Sequence, residues 1–394
     1  MELTRALQFS YTSVAQEIVC DTDVMARLCG TLDRLCAQTA MIVCGPSIRR
    51  SSDVIGRVQE TLGARCVGLF AGVAPHAPVL TLEEALHVAR EVRPEALVSV
   101  GGGSTHDTTK GIATLLAEGG DIHDYAIHFE PPDKVSIPSL TQRKIPILTI
   151  PTTMGGAELS RGAGFTDHQL GRKIVVADPG TIPCSILIDG KALATTPTAI
   201  LVSTAMGQLR IAIETVYSRR HNPIGDALAL HAISMLVHYL PRCATKAIND
   251  LLHIKTAACM ASLANVGGLG LNTAIAHHVG GLYNVPHGAA NAILLPHTMR
   301  FNLEASAARQ ALIAQAMGIN TAGMPPHAAA LAAADAVARL CQQLGLPARL
   351  RDVDVPQEGL EAIAAATLHD RALATNPQPI ADAEPILRVL RAAW

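Results

Sequence analysis

The sequence predicts an α/β domain built on a largely parallel sheet, followed by an all-α helical-bundle domain. Three observations carry this. In the first half, short apolar runs alternate with amphipathic stretches, which demands crossover connections and hence parallel strands. Past residue 190 strand signals fade, and alanine- and leucine-rich segments with helical periodicity take over. At 394 residues the chain also exceeds what one hydrophobic core usually serves, so two domains are expected, 1–190 and 191–394.

The elements follow in order. "TAMIVCG" (39–45) is a strand ending in Gly-Pro-Ser, and 52–62 has a helical pattern. "RCVGLFAGV" (65–73) is a second strand, "LEEALHVAREVRP" (82–94) a helix stopped by Pro94, and "EALVSVGGGS" (95–104) a buried strand running into glycines. "KIPILTIPTT" (144–153) is the next strand, a hairpin is expected from "GAGFTD" (162–167) through "KIVVAD" (173–178), and "CSILIDG" (184–190) closes this half. Helical periodicity then runs through 198–218, 225–239 and 247–265, and through 307–318 and 325–345, each of the last two with a glycine stop.

Composition narrows the class. Hydrophobic residues at 49% against 16% charged suit a well-buried enzyme, and a net charge of −2 supplies no basic stripe for nucleic acid. The nine cysteines show no C-x-x-C pair, which points to reduced, mostly buried thiols. "MELTRALQFSYTSVAQEIVC" lacks the apolar core of a signal peptide, and no uninterrupted apolar run reaches the ~18 residues a membrane span needs. The expectation is a cytoplasmic protein with no membrane partner.

Two loops offer phosphate chemistry. In "VSVGGGSTHDTTKGIA" (98–113) a buried strand feeds Gly101, Gly102, Gly103 and Ser104, then a helix expected to open near Asp107. Bare glycines let the backbone approach a pyrophosphate, and the N–H groups at a helix start point toward the anion. The loop is neither a Walker A nor a G-x-G-x-x-G motif, and the alternative is a tight strand–helix turn. "IPTTMGGAELS" (150–160) follows another buried strand with Thr152 and Thr153. Ligands bind at the carboxyl ends of parallel strands, so both loops are expected to face one cleft. "NTAIAHHVGGLYNVPH" (272–287) adds a third cluster, of histidines.

Together these residues resemble a known family. Gly101-Gly102-Gly103-Ser104 with Asp107 and Lys110 is similar to the G-G-G-S-x-x-D-x-x-K signature of the iron-containing alcohol dehydrogenases. Pro151-Thr152-Thr153 with Glu158 resembles that family's P-T-T loop, in the spacing of its maleylacetate reductase branch. "GPS" (45–47), the stretch 269–297 and the terminal "ILRVLRAAW" extend the resemblance. It implies a Rossmann-like dinucleotide-binding domain, a helical domain of the dehydroquinate-synthase-like kind, and NAD(P)-dependent interconversion of carbonyl and alcohol. It also implies cofactor contacts at Gly45, Ser47, Gly101, Gly102, Gly103, Ser104, Asp107, Thr152 and Thr153.

The family holds its metal with one Asp and three His, the first pair four apart in a D-A-L-x-H-A-x-E helix. The matching segment here is "MGQLRIAIE" (206–214), which puts Gly207 and Ile211 at the first two ligand positions. Thr273 falls at the third, and only His287 keeps a ligand type. A glycine, an isoleucine and a threonine cannot replace a carboxylate and two imidazoles, so no metal is expected; a site rebuilt from His278, His231 or Asp226 would be the alternative. Without a Lewis acid, carbonyl reduction needs a positioned acid, for which His277 and His287 are the candidates, with His278 and Tyr283 behind them. Arg210 is expected to hold a substrate carboxylate, and Met206 and Ile211 to line the cleft or core. Gly45 stands where NAD-specific relatives carry an Asp, and Arg49 and Arg50 follow, so NADH or NADPH is the expected cofactor; His76 replaces a family Asn. The expected protein is therefore a metal-independent reductase of a small, carboxylated oxo or enone compound, working as a homodimer. Its alternatives are a biosynthetic tailoring enzyme on the same scaffold, reducing another polar double bond or doing non-redox chemistry, and a metal-dependent alcohol dehydrogenase with a rebuilt site.

Overall fold

The computed structural model describes residues 9–13, 15–21, 23–130, 134–265 and 268–394. Among them are ten strands: β1 (Glu17–Cys20), β2 (Ala40–Cys44), β3 (Cys66–Phe70), β4 (Ala96–Gly101), β5 (His128–Glu130), β6 (Lys134–Ser136), β7 (Ile147–Pro151), β8 (Gly162–Asp167), β9 (Arg172–Ala177) and β10 (Ser185–Ile188). Six form one sheet in the order β1-β10-β7-β4-β2-β3, and every pairing in it is parallel. Burial explains the order. "AMIVC", "ALVSVG", "ILTIP" and "SILI" are buried at every position and take the centre, as strands covered on both faces must. The mostly exposed "EIVC" of β1 and the half-buried β3 sit at the edges. The sequence reading missed β1, which is four residues long and carries no alternation to notice, and it missed the small β5–β6 ladder. The expected hairpin is β8–β9, antiparallel from Gly162↔Ala177 to Asp167↔Arg172.

Two apolar layers hold the sheet. One includes Leu28, Leu32, Val54, Val58, Ile42, Val98 and Leu148; the other includes Met41, Leu82, Leu86, Leu97, Ile112 and Phe165. The alternation of inward residues, Ile42 in one layer and Met41 in the next, follows from the period-2 pleat. The helix expected over 82–94 runs from Val79 to Val92 and is closed by Arg93 in a left-handed conformation.

By compactness the chain divides into an α/β unit, Ala15–Ala205 with Arg242–Thr256, and a helical unit that includes Met206–Pro241 and Ala257–Trp394. The helices Thr198–Tyr217 and Ile248–Ala264 each give their first turns to the α/β unit. The helical unit has its own core, including Leu271, Ile275, Val279, Leu294, Ile363 and Leu390. Its helix His287–Phe301 contains Pro296, which lacks the N–H that would bond Ala292. The buried Cys341 thiol donates to that carbonyl instead, at 3.6 Å; burial pushes this thiol up to about 12, so it keeps its proton. None of the nine cysteines is in a disulfide; Cys44, Cys243, Cys259 and Cys341 are buried, but Cys20 and Cys36 are exposed. Two helical stretches, Thr198–Tyr217 and Pro223–Thr245, are long and apolar enough to cross a membrane by length and composition, and the first is 67% buried within the fold as a core helix would be.

Candidate functional site

In the α/β unit, the strand order reverses at β2: the chain passes from β2 to β3 on one side, then returns to β4 on the other. Ligands of such sheets bind outside the carboxyl ends at this switch point. The carboxyl ends of β2, β4 and β7 carry Gly45-Pro46-Ser47, Gly101–Ser104 and Thr152-Thr153. The last two loops are coupled: Thr152 N–H donates to Gly101 O at 2.8 Å, and a Cβ on Gly102 would stand 2.9 Å from Thr153 Cγ2. The helix after β4 opens at Gly103 rather than near Asp107, with Gly102 as its N-cap, so its first N–H groups follow the glycines directly.

The side chains at these loops divide by direction. Ser47, Arg49 and Arg50 are exposed. Ser104 Oγ accepts from the His76 N–H at 2.9 Å, with His76 itself at a φ of 64°. Thr152 is 1% exposed, so what it offers a ligand is backbone rather than hydroxyl. Asp107, expected at the cofactor, instead accepts the Gly164 N–H at 3.1 Å and ties the glycine-loop helix to β8. Lys110 donates to Ala157 O at 2.6 Å and Gly162 O at 2.8 Å. Lys255 reaches Gly155 O at 2.6 Å and pairs with Glu158. Burial pushes the Asp107 carboxyl up and the Lys110 ammonium down, each opposed by the other. Burial also raises Glu158, but the Lys255 ammonium, by charge and hydrogen bond, leads the groups that outweigh it and hold its carboxyl below the usual range. Burial drives His106 down to about 4, so it is neutral, with Nδ1 2.8 Å from Ser99 Oγ. The sequence reading missed Lys255, which lies 97 residues from Glu158.

In the helical unit, the structure brings His277 and His287 together, with rings stacked at 5.9 Å between centroids and 16° between planes. His277 Nδ1 is 2.8 Å from Asp370 Oδ2, and His278 Nε2 is 3.6 Å from the same oxygen. Asp370 Oδ1 accepts the Ala372 N–H at 2.8 Å, which fixes the carboxylate. Burial raises this carboxyl, and the His277 hydrogen bond and charge lower it further than that, leaving it ionised. Burial pushes His278 down, so it stays neutral. Asp370 was not found from sequence; "LHDRALA" (368–374) carries no pattern that singles it out.

Arg210 stands elsewhere. It is 4% exposed, and its Nη1 donates to Thr273 Oγ1 at 2.5 Å and to Glu214 Oε2 at 3.3 Å. It was expected to grip a substrate carboxylate; the side chain faces inward, and these partners are internal. Met206 is fully buried, Ile211 half-buried, and Tyr283 packs its hydroxyl on Gly359.

The family metal does not fit these residues. Gly207 brings no donor, Ile211 brings an alkyl group, and the Thr273 hydroxyl is engaged by Arg210 and Glu214. Asp226 is paired with Arg309 at 2.6 Å and His221 at 3.1 Å. Among the described residues no group of three or more His, Cys, Asp or Glu is arranged to hold a metal ion.

Comparison with known proteins places this architecture. Residues 15–190 match the description "Iron-containing alcohol dehydrogenase", and 201–394 match "Fe-containing alcohol dehydrogenase family, C-terminal". The chain is 32% identical over 331 residues to an NAD-dependent methanol dehydrogenase of Bacillus methanolicus, covering 83% of this chain and 84% of that protein. The crystal structure of a 1,3-propanediol oxidoreductase superposes with a TM-score of 0.91 at 30% identity, over 98% of this chain and 100% of that one. A maleylacetate reductase from Rhizobium sp. strain MTP-10005 shares the fold at a TM-score of 0.81 and 23% identity, over 98% of both chains. With both halves matched and a relative this similar over most of its length, the chain belongs to the iron-containing alcohol dehydrogenase family.

Proposed function

We propose that this protein is an NAD(P)H-dependent, metal-independent reductase of a small oxo or enone compound. The observation that carries the reading is the fate of the ligand positions: glycine, isoleucine and an engaged threonine stand at 207, 211 and 273. The NAD dependence of the methanol dehydrogenase supports a nicotinamide cofactor here. The coupled glycine and P-T-T loops supply bare backbone for its pyrophosphate at Gly102, Gly103 and Ser104. Exposed Arg49 and Arg50, with no carboxylate at Gly45, favour acceptance of the 2′-phosphate as well.

When bound, the reduced nicotinamide supplies the hydride. The chain's own task is then the proton. In its protonated form His277 gives its Nδ1–H to Asp370 and carries a second proton on Nε2, on the opposite edge of the ring, to hand to the developing alkoxide, which leaves the neutral Nδ1–H tautomer behind. His287, stacked on that ring, keeps it in plane. With Arg210 engaged by Thr273 and Glu214, the proposed substrate class is the wider set of small carbonyl compounds. NADH and NADPH oxidation should be screened against such a panel before and after dialysis with chelator. Activity that survives chelation unchanged is expected; activity lost on chelation and restored by a divalent ion would overturn the reading.

A further inference from the structure

We propose that Arg210 is the resident cation of this site: a guanidinium, held by Glu214 and Thr273, that takes over the charge of the missing ion and bars a divalent metal from returning. The inference rests on the metal-independent reading and deepens it, since lost ligands explain weak binding while a fixed internal cation opposes binding outright. Four observations converge. Arg210 is one helical turn past Gly207 and almost fully buried. Its Nη1 bonds the Thr273 hydroxyl, the one oxygen left on the side chains at the three changed positions. Thr273 Oγ1–H donates to Glu214 Oε2, so that hydroxyl has its donor used and one lone pair filled.

Glu214 is 0% exposed and completes the unit. Its Oε2 faces Arg210, and its Oε1 accepts the N–H groups of Asn272 at 3.0 Å and Thr273 at 3.3 Å, at the start of the helix Leu271–Tyr283. The carboxylate thus needs a cation on one side while it caps a helix on the other. Arg210 Nε, buried, has no hydrogen-bond partner, so one guanidinium N–H is left without an acceptor. In an interior that screens poorly, the guanidinium repels a divalent ion placed at Thr273, and its ion pair with Glu214 keeps that carboxylate from serving the ion as a ligand. Space is not the obstacle: a Cβ on Gly207 would meet only Asn291 Nδ2, at 3.9 Å. Charge is.

The test restores the donors with and without the cation. One variant carries Gly207→Asp, Ile211→His and Thr273→His; a second adds Arg210→Thr. Both are purified without a histidine tag, and Co(II) is titrated by its visible absorption and by elemental analysis. The expected result is no stoichiometric Co(II) in the first, and one ion per chain in the second with at least 100-fold tighter binding. Equal affinity in the two, or binding by neither, overturns the inference. Because removal of Arg210 strips Glu214 of its partner, the same pair is also built with Glu214→Gln, and circular dichroism selects the folded set. Tight Co(II) uptake by the unaltered chain would sink the metal-independent reading itself, an outcome separate from either result with the variants.

Discussion

A methyl group added at Gly101 would run into the Thr105 side chain, whereas one at Gly103 would meet nothing closer than Ala157 Cβ at 3.7 Å. Packing therefore requires the first glycine and not the second, which leaves room beside Gly103 for an outside molecule. Gly103→Leu should keep its melting temperature and lose NADPH binding in a fluorescence titration, while Gly101→Ala should cost about 1–3 kcal/mol of stability, the range for overpacking. Unchanged affinity in Gly103→Leu would remove the pyrophosphate assignment. At the proton donor, His277→Ala should lower turnover about 10²–10⁴-fold, the usual worth of general acid catalysis, with nucleotide binding nearly intact, and His287→Ala should lower it less. Asp370→Asn should fall in turnover with His277→Ala, since an amide can present its N–H to Nδ1 and turn the tautomer around. If both histidine variants keep near-wild-type turnover, the proton comes from elsewhere.

Elements are joined by side chains that answer a specific need. The turn Ile122–Tyr125 is latched to the end of β8 by His123, whose Nε2 is 2.7 Å from Asp167 Oδ2 and whose Nδ1 pairs with Asp121. Hydrogen bonds to Asp121 and then Asp167 raise the histidine. Backbone N–H bonds, from His123 and from Leu170 respectively, lead the lowering of Asp121 and Asp167. A raised histidine stabilises fully below its unfolded pKa, near 6.5, and the contribution is lost as pH rises through the higher folded value; lowered aspartates stabilise above about 3.9 and lose that as pH falls through their folded values. The melting-temperature gap between the native chain and His123→Gln should accordingly be widest at about pH 5–6 and shrink on either side. A gap that does not vary with pH would show that the latch is not ionic. In the helix His287–Phe301, Cys341→Val should cost about 1–3 kcal/mol in urea unfolding, because it orphans the Ala292 carbonyl that Pro296 cannot satisfy.

At the scale of the whole molecule, the proposed nucleotide and the proposed metal independence make different thermal predictions. NADPH at about 100 times its dissociation constant should add about 2.7 kcal/mol of stability through mass action, read as a raised melting temperature. Chelator should leave the melting temperature where it was, and a fall on chelation that added metal reverses would overturn the metal-independent reading at this scale too. The buried charges set the limit on tolerance: Lys255→Met leaves Glu158 ionised and unpaired beneath the P-T-T loop, and should cost about 3–5 kcal/mol. Measured against Glu158→Gln in the same background, most of that cost should disappear.

The sequence by itself determined the layered class, the parallel sheet, the two loops at the strand ends, and the glycine and isoleucine at 207 and 211. Each is carried by residues close together in the chain: the all-apolar runs of β2, β4, β7 and β10, the glycines 101–103, and the 207–211 spacing on one helix. Pairings across long chain separations were decided only by tertiary structure. Asp370 is 93 residues from His277, and Lys255 is 97 from Glu158, so no local period marks them. Arg210 and Glu214 were visible as an i,i+4 pair, but "LRIAIE" has no polar face to say which way they point. Asp107 likewise sits in a motif that suggests a ligand, and the approach of β8 turned it inward. Periodicity fixes which residues share an element; the direction of a buried charge is fixed by whichever distant backbone or side chain arrives to meet it.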